Sequence, residues 1–182
     1  MKVVSTPMCQ DILRFAGLSN YIVTKNLNST DAELAVTLYE TETNIQSIKI
    51  KLNTYSQIYN SIMKISRFFN TKSDEIVIKE LQDKINYIHN LKKLNQKRKI
   101  KVIVYSNFIK DIVEDMGFIV REDNNSEEST PVVFPDYLED KLNFYPDENT
   151  ILLPSHKNVP KNPLERAELR YNILEKKLCM KP

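Results

Sequence analysis

The chain contains two glycines, and each closes a copy of one pattern: QDILRFAG from Gln10 to Gly17 and KDIVEDMG from Lys110 to Gly117. In both copies Asp-Ile is followed by four residues and then the Gly. Each copy follows a short apolar run ending near a Ser (KVVSTP, KVIVYSN) and leads into another apolar run (YIVTK, FIVRE). Glycine is the residue that adopts left-handed backbone without steric penalty. A chain that places its two glycines a hundred positions apart in the same local frame is set up to make one turn twice.

A Gly just past an apolar-periodic segment ends a helix in the left-handed conformation. Ile12, Phe15 and Ala16 carry helical spacing, Pro7 suits a first turn, and Thr6 is a candidate N-cap. The flanking runs read as short buried strands. Residues 2–25 therefore predict strand, helix, strand, with a right-handed crossover between parallel strands as the usual outcome. The second copy predicts the same: KVIVYS, then NFIKDIVEDM, Gly117, then FIVRE. Each copy is thus expected to be the first step of a separate α/β lobe.

The rest of the chain fills out those lobes. ELAVTLYE (Glu33 to Glu40) and SIKIKLN (Ser47 to Asn53) predict two further strands. Thr54 and Gln57 form a capping box opening a helix with Ile58, Ile62, Ile65 and Phe69 on its core face. Residues 74–98 hold no Gly or Pro and carry a stripe of Ile78, Leu81, Ile85 and Ile88. Acids lie early and bases late, as the helix dipole favours, so one helix of roughly 35 Å is expected. Asp123 to Thr130 reads as a polar loop, and PVVFPDYLEDKL as a strand and a short helix with a turn at Pro135 and Asp136. TILLPS (Thr150 to Ser155) is the last expected strand. Asn162, Pro163 and Glu165 open a C-terminal helix whose apolar face is Leu164, Leu169, Ile173, Leu174 and Leu178. The expected fold class is α/β: two Rossmann-like lobes, parallel sheets flanked by helices, joined by one long helix. The expected boundaries are residues 1–72, 73–99 for the linking helix, and 100–182.

The stretch STPMCQDILRFAGLSNYIVTK, Ser5 to Lys25, resembles the opening of the class III periplasmic-binding fold. There a Ser-Pro-type loop leads into a helix bearing Ile-Leu, a small residue and Gly, then Leu and a strand. The order of elements that follows is also similar. This is the fold of cobalamin, iron-siderophore and metal-chelate receptors and of chelatase and nitrogenase-like domains. The resemblance implies a two-lobed binder of a small ligand. This chain departs from the family in its N-terminus, MKVVSTPMCQ, which has no apolar signal-peptide core. Metal receptors of the family use several His or carboxylate ligands, whereas this chain has two His, with His89 inside the expected linking helix. The resemblance therefore implies a cytosolic relative rather than a transport receptor. The Lys/Ile/Asn-rich composition and the tail HKNVPKNPLERAELRYNILEKKLCMKP also resemble uncharacterised archaeal proteins, some of them confined to methanogens, a resemblance that implies a role in handling a nickel, cobalt or iron cofactor.

Composition removes several functions. A net charge of +2 is too balanced to indicate nucleic-acid binding. No apolar run approaches the ~20 residues of a membrane span. Cys9 and Cys179 make no disulfide framework, so reduced thiols in the cytoplasm are expected. With two glycines, neither a P-loop nor a dinucleotide fingerprint is possible, and no C-x-x-C or H-x-x-H pair suggests zinc. No cofactor is named by any motif.

Ligands of open α/β sheets sit outside the carboxyl ends of the strands, and in a two-lobed protein those ends are expected to face a shared cleft. The loops there are Ser5-Thr6-Pro7, Glu40-Thr41-Glu42, Ser106-Asn107, Pro135-Asp136-Tyr137 and Ser155-His156-Lys157. The loops at Ser5 and Ser106 abut helix N-termini, which bind anions, although Ser and Asn also serve there simply as caps. His156 and Lys157 with Arg166 and Arg170, one helical turn apart, would make a basic pocket for a phosphate or carboxylate. The plainer reading, a solvated helix face with Glu165 and Glu168 pairing the arginines, is the favoured one. Cys9 in a first helical turn is either an activated thiol or, as is commoner, a small buried residue. Glu40 and Glu42 are either paired acids or ordinary surface ones. The function expected is a binding or accessory protein whose cleft takes an anionic cofactor, metal chelate or precursor. The alternatives are a chelatase- or transferase-like enzyme of cofactor biosynthesis using the same cleft, and an interaction module docking a protein partner.

Overall fold

The first sheet of the computed structural model contains β1 (Val3–Ser5), β2 (Ile22–Val23), β3 (Leu34–Leu38) and β4 (Ser47–Ile50). The second contains β5 (Lys101–Val104), β6 (Ile119–Arg121), β7 (Val132–Pro135) and β8 (Thr150–Leu153). Their orders are β2-β1-β3-β4 and β6-β5-β7-β8, and every pair is parallel. The structure describes residues 1–121, 130–139, 149–155 and 159–179. The chain divides into one unit of Met1–Lys84 with Lys161–Leu164 and another of Ile85–Pro160 with Glu165–Pro182. The two sheets have the same topology, and the strands in each are shorter than the apolar runs that announce them.

The duplicated pattern does the same work in each unit. α1 (Gln10–Phe15) follows a 3-10 turn at Pro7–Cys9, and α4 (Asn107–Asp115) follows Ser106 directly. Both helices end in a Schellman motif. Gly17 N–H donates to Arg14 O and Leu18 N–H to Leu13 O, both at 2.9 Å. Gly117 N–H donates to Glu114 O at 3.0 Å and Phe118 N–H to Val113 O at 3.2 Å. The glycines have φ of 79° and 88°. Register repeats as well: each residue of the first strand pairs with the one eighteen positions on, Val4 with Ile22 and Lys101 with Ile119. Ile12 and Ile112, the Ile of each Asp-Ile, are fully buried.

In the first unit α2 (Tyr55–Phe69) opens on Thr54, whose Oγ1 accepts from Gln57 N–H at 3.2 Å. The Gln57 side chain accepts in return from Asn53 N–H at 3.0 Å, one residue earlier than a standard capping box. Ile58, Ile62 and Ile65 are fully buried, while Phe69 is half-buried. Segments before the next helix tie back to α1: Thr71 Oγ1 donates to Ala16 O at 2.5 Å and Asp74 N–H to Phe15 O at 2.8 Å. The free edge of β4 is also met by α2. Lys64 Nζ donates to Lys49 O and Ser61 Oγ to Lys51 O, both at 3.0 Å.

α3 (Glu75–Arg98) is one unbroken helix of 24 residues, begun by Asp74, whose carboxylate accepts from Ile76 and Val77 N–H. Leu81 and Ile88 are buried, and Ile78 and Ile85 half-buried. α5 (Pro163–Leu174) starts at Asn162, whose Oδ1 accepts from Leu164 N–H at 2.9 Å, and a π-helical turn, Glu175–Cys179, continues it. Leu164, Leu174 and Leu178 of the expected apolar face are buried, while Leu169 and Ile173 are half-buried; Arg166, Ala167, Arg170 and Tyr171 are buried beside them. The expected short helix after β7 is a 3-10 turn at Asp136–Leu138, and the polar loop over residues 123–129 lies outside the described residues. No helix among the described residues is long and apolar enough to cross a membrane.

Candidate functional site

The carboxyl edge of the second sheet holds a cavity of about 490 Å³. It forms where β5 passes into α4. Ser106, extended at φ −160° and ψ 153°, caps α4 with its hydroxyl accepting from Ile109 N–H at 3.4 Å. Tyr105 is pinned by its N–H donating to Val133 O at 3.3 Å, and its side chain stays partly exposed along the wall. Asn107 opens the helix at the rim, and Lys110 enters from the first turn. Val120 and Arg121, the last residues of β6, close the side opposite. The described lining thus carries two cations, a hydroxyl, an amide and a phenol, and no carboxylate. The positive dipole end of α4 adds to the same sign. Such a surface attracts an oxyanion with an apolar body.

A second group of polar side chains lies at the ends of β7 and β8 in the same unit. Asp136 Oδ1 accepts from Ser155 N–H at 3.1 Å and from the Ser155 hydroxyl. Arg170 reaches the same loop, its Nε donating to Pro154 O at 2.9 Å and its Nη2 to Ser155 O at 3.0 Å. The guanidinium lies 4.7 Å from the ring centroid of Phe108, in the first turn of α4. Burial lowers the Arg170 pKa to about 10; Arg166 beside it pushes the same way and Asp136 opposes. Arg166 Nη1 donates to Pro160 O at 3.4 Å. The solvated-face reading of these arginines is therefore wrong: they are 3% and 5% exposed. Their partners include main-chain carbonyls, which helical periodicity does not reveal.

Of the other expected site residues, Ser5, Thr6 and Cys9 lie in the first unit. Ser5 Oγ donates to Thr6 O at 3.1 Å, and Thr6 Oγ1 donates to Cys9 Sγ at 3.3 Å instead of capping a helix. Cys9 is fully enclosed, so the small-residue reading holds. A helix of six residues behind a 3-10 turn makes no anion cradle there. Thr37, on β3, is fully buried, and its hydroxyl has no hydrogen-bond partner among the described residues. Glu40 and Glu42 are exposed surface acids. His156 and Lys157 lie outside the described residues. Ser106 and Asn107 are brought together at the cavity, and Asp136 with Arg170 beside them. Lys110 and Arg121 were missed; their signal was position, one turn past a cap and at the end of the next strand. Cys9 and Cys179 are not joined in a disulfide, and burial raises the Cys179 pKa. Among the described residues no group of His, Cys, Asp and Glu is arranged to hold a metal ion.

No family model and no curated protein sequence matches this chain. Solved structures do match its fold. The chain is similar to the laminin-binding protein Lbp of Streptococcus pyogenes, with a TM-score of 0.62, 12% identity and 98% of each chain covered. It is similar to the periplasmic vitamin B12 binding protein BtuF of Vibrio cholerae, with a TM-score of 0.57, 10% identity and 97% of each chain covered. A Zn(II)-bound mutant of AdcAII from Streptococcus pneumoniae matches at a TM-score of 0.55 and 11% identity, over 98% of this chain and 99% of that one. At such identities the likeness is one of fold: the chain has the two-sheet, parallel α/β fold of periplasmic-binding-like proteins.

Proposed function

We propose that this protein binds a small anionic ligand, of the class of an organic phosphate or carboxylate cofactor or precursor, at the carboxyl edge of its second sheet. The observation that carries this reading is the cavity of about 490 Å³ whose described lining places Lys110, Arg121 and the α4 N-terminus around one space. That volume falls in the range of small-molecule sites. Fold neighbours whose names state vitamin B12 or zinc binding support a binding role without identifying the ligand. A metal ion held directly by the protein does not fit the described residues, which offer no ligand cluster. The two cysteines, not joined in a disulfide, support a reducing, cytoplasmic setting.

A thermal-shift screen tests this. Organic phosphates and carboxylates, nucleotides, tetrapyrroles and corrinoids are added to the full chain. A ligand at a hundred times its Kd stabilises the folded state by about 2.7 kcal/mol. The expected outcome is a shift with an anionic compound that is lost in Lys110→Met combined with Arg121→Met. A shift that survives both substitutions would place the ligand elsewhere.

A further inference from the structure

α5 holds α4 at both of its ends. At the far end the Tyr171 hydroxyl donates to Asp115, the last residue of α4. At the near end Arg170 stacks on Phe108, which lies between Asn107, a lining residue of the cavity, and Ile109, whose N–H donates to the capping Ser106 hydroxyl. Arg170 also bonds two successive carbonyls after β8, and the second of those residues, Ser155, is bonded through its N–H and hydroxyl to Asp136 at the end of β7. One guanidinium therefore joins the first turn of α4 to the ends of β7 and β8. Lysine does not reproduce this, because its compact ammonium lacks the planar fork that bonds two carbonyls in fixed geometry while lying against a ring. A buried cation is a poor choice where packing alone is needed, since an apolar side chain of similar volume is often as stable or more so. At 5% exposure, a guanidinium bonded on three sides points to a geometric task.

We propose that Arg170 is the positioning residue of the ligand site: through Phe108 it sets the first turn of α4 and thereby the anion affinity of the cavity. This inference rests on the ligand reading above. The probe is inorganic phosphate, titrated into the full ¹⁵N-labelled chain while the amide signals of Asn107 and Ile109 are followed. Wild-type protein is expected to show saturable shifts at these amides. Arg170→Lys is expected to weaken phosphate binding about tenfold or more. Phe108→Leu, which leaves the carbonyl bonds of Arg170 in place, is expected to weaken it in the same direction and serves if the arginine variant does not fold. Tyr171→Phe loosens the opposite end of α4 and is expected to leave affinity within about twofold. Unchanged affinity in Arg170→Lys and Phe108→Leu, with normal wild-type binding, would overturn the positioning role alone. An equal loss in Tyr171→Phe would also overturn it, by showing general loosening of the helix. Absence of wild-type shifts at Asn107 and Ile109 would overturn the ligand reading and this inference with it.

Discussion

Gly17 and Gly117 illustrate how much one backbone angle can decide. Both have positive φ, and a Cβ on either would drive into main chain: the carbonyl of Lys72 at Gly17, and that of Lys92, 2.6 Å away, at Gly117. A left-handed L-residue costs roughly 1–2 kcal/mol, and overpacking adds about 1–3 kcal/mol more. Gly17→Ala and Gly117→Ala are each expected to lower stability by roughly 2–5 kcal/mol in urea denaturation, the sum of those two terms. A loss below about 0.5 kcal/mol, the range of a neutral surface change, would show that the close approach is not real. These residues were legible in the sequence because the demand is local: a helix must stop and the chain must turn. Arg166 and Arg170 were not legible, because what covers them is tertiary. Their spacing fits a wet helix face equally well, and only the loop carbonyls and Phe108 decide the matter.

Among elements, the helices announced themselves best. Thr54 and Gln57, Asn162 and Pro163, and the unbroken run from Glu75 to Arg98 all appear where their chemistry requires. The strands are shorter than their apolar runs, since a parallel strand keeps pairing only while a neighbour lies alongside; β2 retains two residues. α2 does more than pack: its Lys64 and Ser61 bond the outward carbonyls of β4, an edge that would otherwise offer itself to another chain. The π-helical turn after α5 is tied to α3. Tyr87 donates its hydroxyl proton to Glu175, and Arg98 Nη1 donates to Cys179 O at 3.0 Å. The hydrogen bond to the carboxylate raises the Tyr87 pKa from 10.0 to about 12, burial adding to it. A folded-state pKa above the unfolded value contributes stability that is complete below pH 10 and is lost as pH rises through about 12. Wild type is therefore expected to melt above Tyr87→Phe at neutral pH and to converge on it through that alkaline window. A constant gap between the two melting curves would show that the bond carries no proton linkage.

At the scale of the whole chain, each unit is built by the same opening steps and finished differently. β1, α1 and β2 correspond to β5, α4 and β6 in order, in the eighteen-residue strand register and in the buried Ile12 that matches buried Ile112, though α4 is longer than α1. Past that point the spacing diverges: Ala35 pairs with Ser47, but Val132 pairs with Thr150. Ile12→Ala and Ile112→Ala are each expected to cost about 2–5 kcal/mol, as buried isoleucines do. Hydrogen exchange is the measurement that checks it. Protection should fall first in the sheet that bears the substitution, and equal loss in both sheets would mean that they open as one. The shared frame has a practical meaning for anyone who would rebuild the molecule. The stretches Thr6–Gln10 and Ser106–Lys110 have equal length and follow the first strand of each half, so exchanging them would leave every strand whole. Such a swap would carry Ser106, Asn107 and Lys110 into the other half while Arg121 stays behind.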